Sequence, residues 1–179
     1  MGAFGGRRGS GFLVMTRQDA YLESDDLFVK AEKAEDHGDL KSANKFLLEA
    51  AKLGHTGAQV ALANNYSSGQ GIARSSEKAA YWYRRAYESG DESGALNLAI
   101  DKLKAGNRRA AIVWLKKAIE LHSGEAALEL AKLYSGSRGG KAKAVTLLEA
   151  TQRMRPAEIS EQAKEDAAAL LAELTRNAG

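Results

Sequence analysis

The side chains best suited to acid–base chemistry or metal binding in this chain are its three histidines, His37, His55 and His122. None has a serine or cysteine partner in a nucleophile motif, and the His-Glu-x-x-His spacing of a zinc site is absent. Each lies at or just past the end of a predicted helix, close to a glycine. A cation there suits the helix dipole, so we predict no catalytic residue and no metal ligand.

Two further groups of residues have side chains that could bind ligands. Residues 136–141 are rich in glycine and end in Lys141, but they lack the Gly-Lys-Ser/Thr ending of a phosphate-binding loop. We interpret them as a turn between helices. Glu161, Glu165 and Asp166 share one face of the last predicted helix and could bind a cation, but a polar cap that ends a helical stack is favoured. The sequence therefore predicts no cofactor and no enzyme.

The composition favours a helical protein almost throughout. Of 179 residues 44% are hydrophobic, with a single proline and no cysteine, which excludes disulfides and thiolate chemistry. The net charge of +3 is too small to indicate nucleic-acid binding. No apolar segment approaches the roughly 18 residues that a membrane helix needs. We expect a cytoplasmic protein without a membrane span, whose oligomeric state the sequence leaves open.

Glycines divide the chain into short helical segments, each followed by a turn. We predict an all-α, right-handed solenoid of about four antiparallel helix pairs plus a C-terminal capping helix. Residues 1–22 are expected to form a disordered, glycine-rich leader, in which Met1 and Met15 are both candidate start residues. The repeat domain is predicted over residues 23–155 and the capping helix over residues 156–179. The predicted helices are 25–37, 40–53, 56–68, 76–89, 93–105, 108–122, 125–134, 141–154 and 157–176.

One segment of the chain carries a recognisable repeat motif. Its matching residues are Ala58, Leu62, Tyr66, Gly69, Gly71, Ile72, Lys78, Ala79, Trp82, Tyr83, Ala86 and Gly90. This segment resembles the Sel-one-like repeat (SLR) family, a branch of the tetratricopeptide-like helical solenoids, and degenerate copies extend the resemblance over residues 25–154. The resemblance implies a protein–protein adaptor, often bacterial, without shared chemistry. We expect Trp82 and Trp114 to lie in the core between hairpins.

The resemblance also implies where a partner binds. In such solenoids the first helix of each pair lines the inner curve, and its polar side chains meet a protein or peptide. At the corresponding positions this sequence has Lys33, Asp36, Asn64, Asn97, Asp101 and Lys132. Asparagine and lysine side chains in a groove can hold a peptide backbone or a terminal carboxylate. We interpret the chain as a scaffold that binds its partner in the concave groove.

The alternative is a basic outer surface that binds nucleic acid or an acidic partner. Pairs of basic residues recur on the second helices, at 84–85, 108–109 and 116–117. Phosphate contacts would make such binding steeply dependent on salt. We expect no aromatic side chains among these basic residues, so base stacking is not indicated. Nucleic acid is therefore the less favoured partner.

Overall fold

The computed structural model describes residues 16–176, and this part of the chain forms nine α-helices and no strand. None of these helices is both long and apolar enough to cross a membrane. The all-α prediction is confirmed. The helices are α1 (Arg17–Asp36), α2 (Leu40–Leu53), α3 (Thr56–Ser68), α4 (Ser76–Glu88), α5 (Glu92–Lys104), α6 (Arg108–Glu120), α7 (Gly124–Ser135), α8 (Lys141–Gln152) and α9 (Glu161–Arg176).

Consecutive helices pack as hairpins, and each hairpin packs against the next. The pairs are α1 with α2, α3 with α4, α5 with α6, and α7 with α8. Helices α3 and α5, the first helices of neighbouring pairs, also contact each other, and α9 lies against α7 and α8. This is the predicted arrangement of four pairs and a final helix, stacked as in a solenoid.

The first helix begins earlier than the sequence predicted. Its N-cap is Thr16, whose hydroxyl accepts the N–H of Asp19 at 3.1 Å, while the Asp19 carboxylate accepts the N–H of Thr16 at 3.0 Å. This reciprocal capping box satisfies two backbone donors at once, so the helix begins at Arg17, before the predicted start at residue 25. Residues 17–22, assigned to the leader by the prediction, are therefore helical. The rest of the leader prediction falls on residues outside the described part of the chain.

The loop after α3 is fixed by two buried asparagines. The Asn44 side-chain amide donates to the carbonyls of Leu40, at 2.8 Å, and Gln70, at 2.9 Å. The Asn65 amide donates in turn to Asn44 Oδ1 at 3.0 Å. At Gly71, φ is +66° and a Cβ would lie 2.4 Å from Leu40 Cβ, so only glycine fits this approach to α2. The Gly-x-Gly part of the repeat motif thus serves packing between hairpins.

Small and large side chains alternate through a core that runs along the stack. Ten alanines on helices α3 to α7 are buried: Ala58, Ala63, Ala79, Ala86, Ala95, Ala99, Ala111, Ala118, Ala126 and Ala131. Trp82 is buried as expected. Trp114 is partly buried and packs against two core clusters, one that extends from α1 to α5 and one that joins α5, α6 and α7. The Trp114 ring packs edge-on against Tyr87, with centroids 5.7 Å apart, and lies beneath the Lys117 side chain.

The C-terminal segment folds back over the start of α7. Pro156 lies in a turn before α9 and not in its first turn, which corrects the helix predicted from residue 157. The N–H of Gly124 donates to the Glu158 carbonyl at 2.6 Å, and the N–H of Ser160 donates to the Glu125 carboxylate at 2.8 Å. These bonds hold the last helix against the end of the stack, as a capping element requires.

Candidate partner-binding groove

A cavity of about 640 Å³ lies between α3 and α5, the first helices of two neighbouring hairpins. Three of the six predicted site residues, Asn64, Asn97 and Asp101, line it together. Asn97 and Asp101 are one helical turn apart on α5, while Asn64 approaches from α3. We call this cavity the α3–α5 groove; its other polar lining includes Ser67, Arg74, Tyr83, Lys102 and Lys104.

The amide of Asn64 is held by a neighbouring hydroxyl. Tyr83, on α4, donates its phenolic O–H to Asn64 Oδ1 at 2.6 Å. Burial, and then the negative charge of Asp101, raises the pKa of Tyr83 well above its usual value, so the phenol remains a donor. The bond occupies the oxygen of Asn64 and leaves its NH₂ group as the part able to meet a ligand.

Asp101 is held in place by a contact across the same groove. The Ser67 hydroxyl, on α3, donates to Asp101 Oδ1 at 2.8 Å. Within the described residues Asp101 forms no salt bridge, and Asn97 makes no side-chain hydrogen bond. Asn97, which is half-buried, therefore offers a donor and an acceptor to the groove.

Three cations and one carboxylate line the groove, so its charge is positive on balance. Arg74 comes from the loop before α4, and Lys102 and Lys104 come from the last turn of α5. These residues, with Ser67 and Tyr83, were not among the predicted site residues. Ser67 could have been found, because it lies one turn from Asn64 on the same helix face. Tyr83 could not have been found in this way, because it lies on α4, the second helix of its pair, and the predicted site residues came from the first helices.

The other three predicted residues do not reach this groove. Lys33 and Asp36 are exposed at the C-terminal end of α1. Lys132 is exposed on α7 and forms an i,i+3 ion pair with Glu129 at 2.8 Å. The structure therefore brings together the three predicted residues on α3 and α5, whereas those on α1 and α7 lie elsewhere.

The histidines are helix-end residues, but not all in the predicted way. His55 is the N-cap of α3, and its Nδ1 accepts the N–H of Ala58 at 3.0 Å. The other ring nitrogen, Nε2, lies 3.5 Å from Asp25 Oδ1. His55 therefore acts as a hydrogen-bond acceptor at the start of α3, a role that the prediction of a cation near the end of a helix did not include. The ring stacks on Phe28, with centroids 4.4 Å apart. Among the described residues no group of three or more His, Cys, Asp or Glu side chains is arranged to hold a metal ion.

The outer face contains aromatic side chains among its basic residues, which corrects another expectation. Lys117 Nζ lies 4.1 Å from the centroid of the Trp114 ring and 5.1 Å from that of Tyr87. Arg84 and Arg85 on α4 and Lys116 on α6 are exposed. Because Lys117 already covers the Trp114 ring, that ring is engaged in a cation–π contact within the chain.

Comparison with known proteins identifies the repeated unit. The family model of the Sel1 repeat matches residues 35–55, 56–91 and 100–123. The chain carries three Sel1 repeats. Such repeats are in general non-catalytic scaffolds for protein–protein interaction. The matches include the motif segment and the copies on either side of it, so the resemblance drawn from the sequence is confirmed. Among curated proteins, none matches this sequence.

Solved structures show the same fold. A Sel1 repeat protein from Oxalobacter formigenes superposes with a TM-score of 0.68 at 20% identity, covering 89% of this chain and 67% of that chain. A protective antigen of uropathogenic Escherichia coli with an SLR fold has a TM-score of 0.65 at 22% identity, covering 92% of this chain and 34% of that chain. The chain thus spans about a third of the length of the Escherichia coli antigen.

Proposed function

We propose that this Sel1-repeat protein is a non-enzymatic adaptor that binds a peptide segment of a partner protein in the α3–α5 groove. The observation that supports the proposal is the convergence of Asn64, Asn97 and Asp101 on one cavity. The Asn64 NH₂ group and the Asn97 amide can pair with a peptide backbone, which presents one donor and one acceptor at each residue. The hydrogen bonds from Tyr83 and Ser67 hold two of these side chains in place before binding.

The charge of the groove favours an acidic segment or a terminal carboxylate. Arg74, Lys102 and Lys104 supply the positive charge, and Asp101 opposes it. Asp101→Asn preserves an oxygen to accept the Ser67 hydroxyl and removes the opposing charge. We therefore expect the affinity for the natural partner to stay the same or rise in this variant, whereas a partner that inserts a lysine or arginine would bind more weakly.

The proposal is tested by photocrosslinking in cells that express the protein. A benzophenone side chain replaces Asn97 in one version and Glu49, exposed on α2, in a matched control. We expect position 97 to capture a partner that position 49 does not. Asn97→Ala should weaken the purified complex by about tenfold, because hydrogen bonds to charged or backbone groups are lost without a change in folding. Capture of the partner only from the outer face, for example from Arg85, would contradict the proposal.

A further inference from the structure

A second cavity, of about 450 Å³, lies between α6 and α8, the second helices of neighbouring hairpins. Leu130 and Tyr134 of α7 form its floor, and Ile119 and Leu147 line its two sides. All four side chains are apolar or aromatic, in contrast to the polar lining of the α3–α5 groove. We call this cavity the α6–α8 groove.

The lining follows the helical period on both sides. Lys116 and Ile119 are three residues apart on α6, and Lys143 and Leu147 are four apart on α8, so each pair shares a helix face. Four residues of helix span about 6 Å, the length of roughly one turn. The α6–α8 groove therefore has room for one or two large apolar side chains from a helix or strand that approaches it.

The rim of the α6–α8 groove is basic. Lys116 and Lys143 are exposed on opposite sides, and neither forms a salt bridge within the described residues. Lys143 Nζ lies 5.6 Å from the centroid of the Tyr134 ring, which keeps one cation directly above the apolar floor. Glu120 is the one carboxylate among the lining residues. An apolar floor between two unpaired lysines is complementary to apolar side chains flanked by carboxylates.

We propose that the α6–α8 groove is a second docking site, which binds an acidic amphipathic segment of a partner protein. It is separate from the adaptor site in the α3–α5 groove, and either site can exist without the other. Nucleic acid fits less well, because the groove buries apolar surface and Lys143 covers the aromatic face that a base would stack on. A second copy of the chain also fits less well, since the acidic helix α9 turns Leu170, Leu171 and Leu174 towards its own core.

The test is a selection of randomised short peptides displayed on phage, performed on the full chain. Thr146, exposed at the edge of the groove, is replaced by Trp for counter-selection. Its hydroxyl donates to the Ala142 carbonyl of its own helix, so Thr146→Trp fills the groove without removing a hydrogen bond to another helix. We expect the enriched peptides to combine Asp or Glu with large apolar residues and to lose binding to the Thr146→Trp variant.

A charge-reversal variant and its matched control distinguish binding in the α6–α8 groove from non-specific attraction between a basic protein and an acidic peptide. Lys116→Glu with Lys143→Glu should weaken the enriched peptides by about tenfold or more, measured by fluorescence anisotropy. Lys45→Glu with Lys52→Glu makes the same change of charge on exposed positions of α2 and should alter the affinity by less than about twofold, because these charges lie outside the groove.

Each other outcome would overturn the proposal. Enrichment of basic or purely polar peptides, or of none, would exclude an acidic amphipathic occupant. If the two charge reversals weakened peptide binding equally, the net charge of the protein, and not the groove, would account for the affinity. Binding of a single-stranded oligonucleotide that depends on Lys116 and Lys143 would assign the groove to nucleic acid. Self-association in sedimentation that Thr146→Trp abolishes would assign it to a second copy.

Discussion

At the scale of single residues, Tyr83 belongs to both the core and the α3–α5 groove. Its ring is buried in the first core cluster, while its hydroxyl reaches Asn64 at 2.6 Å. A phenol in this position is stabilised in its neutral form, since ionisation would place a charge in a desolvated site next to Asp101. The stability of the fold is therefore linked to pH through a residue of the groove.

We predict that the chain loses stability above about pH 10 and that Tyr83→Phe reduces this loss. The pKa of Tyr83 is raised by folding, so in this range the unfolded chain releases the proton first and alkali favours unfolding. Urea unfolding of both proteins at about pH 8 and about pH 11 gives the free energy of unfolding that each loses between the two pH values. We expect this loss to be smaller in Tyr83→Phe than in wild type. An equal decrease in wild type and Tyr83→Phe would show that this phenol is not the responsible group.

The two tryptophans should differ in their contribution to stability. Trp82→Ala should reduce the free energy of unfolding by roughly 3–5 kcal/mol, as large aromatic truncations in cores do. Trp114→Ala should reduce it by less, because Trp114 is only partly buried and water can reach the vacated space. Chemical denaturation of the two variants checks the order, and a larger loss for Trp114→Ala would contradict the burial seen here.

At the scale of elements, the start of α7 and the turn before α9 depend on a missing side chain. A Cβ at Gly124 would lie 2.3 Å from Ile159 Cβ and 2.8 Å from the Glu158 carbonyl oxygen. Both neighbours are backbone or branched groups that cannot move away without displacing the turn. Gly124 therefore permits the contact by which the last helix is joined to the stack.

We predict that Gly124→Ala destabilises the protein by roughly 1–3 kcal/mol and speeds hydrogen exchange in α9. Gly136→Ala is the matched control, since a Cβ there would meet only the Lys132 carbonyl oxygen at 3.9 Å. With φ of −81° at Gly136, alanine is tolerated and should be neutral or slightly stabilising. Unchanged exchange in α9 of Gly124→Ala would show that the turn adapts.

The elements were largely predictable from sequence, for local reasons. Helices α5 and α6 begin within one residue of the predicted starts at 93 and 108. Asp91 and Asn107 accept backbone N–H groups within one turn, and such a local signal can be identified in a sequence. The start of α1 was predicted too late in the chain, because Thr16 and Asp19 follow a glycine-rich segment whose composition indicates disorder. The hydrogen bonds that Tyr83 and Ser67 donate in the α3–α5 groove could not be predicted from the sequence. Each joins two different helices, and no sequence periodicity encodes the distance between them.

At the scale of the whole molecule, the core is a chain of three linked clusters. The first extends from α1 to α5, the second joins α5, α6 and α7, and the third joins α7, α8 and α9. Trp114 connects the first two, and Tyr134 and Leu147 connect the last two. In such a linear array each unit is stabilised mainly by its neighbours, so damage at one end should remain local.

We predict that Leu148→Ala speeds amide exchange in α7–α9 and leaves α1–α3 protected. Leu62→Ala should do the reverse. Both leucines are fully buried, so each truncation should cost about 2–5 kcal/mol. Hydrogen exchange followed by mass spectrometry resolves the helices. Uniform loss of protection throughout the chain in either variant would indicate one cooperative unit and contradict the linear array.

The hydrogen bond between Asn44 and Asn65 limits how this protein could be recombined with others of its kind. The bond crosses the boundary between the matches at 35–55 and 56–91, so a splice at that boundary separates the two asparagines. A foreign neighbour without the matching amide would leave a buried polar group unpaired, at a penalty of about 1–3 kcal/mol. Chimaeras exchanged as residues 35–91 retain both partners and the loop they anchor. At this boundary the two neighbouring matches therefore have to be exchanged together, although the sequence motif repeats once per hairpin.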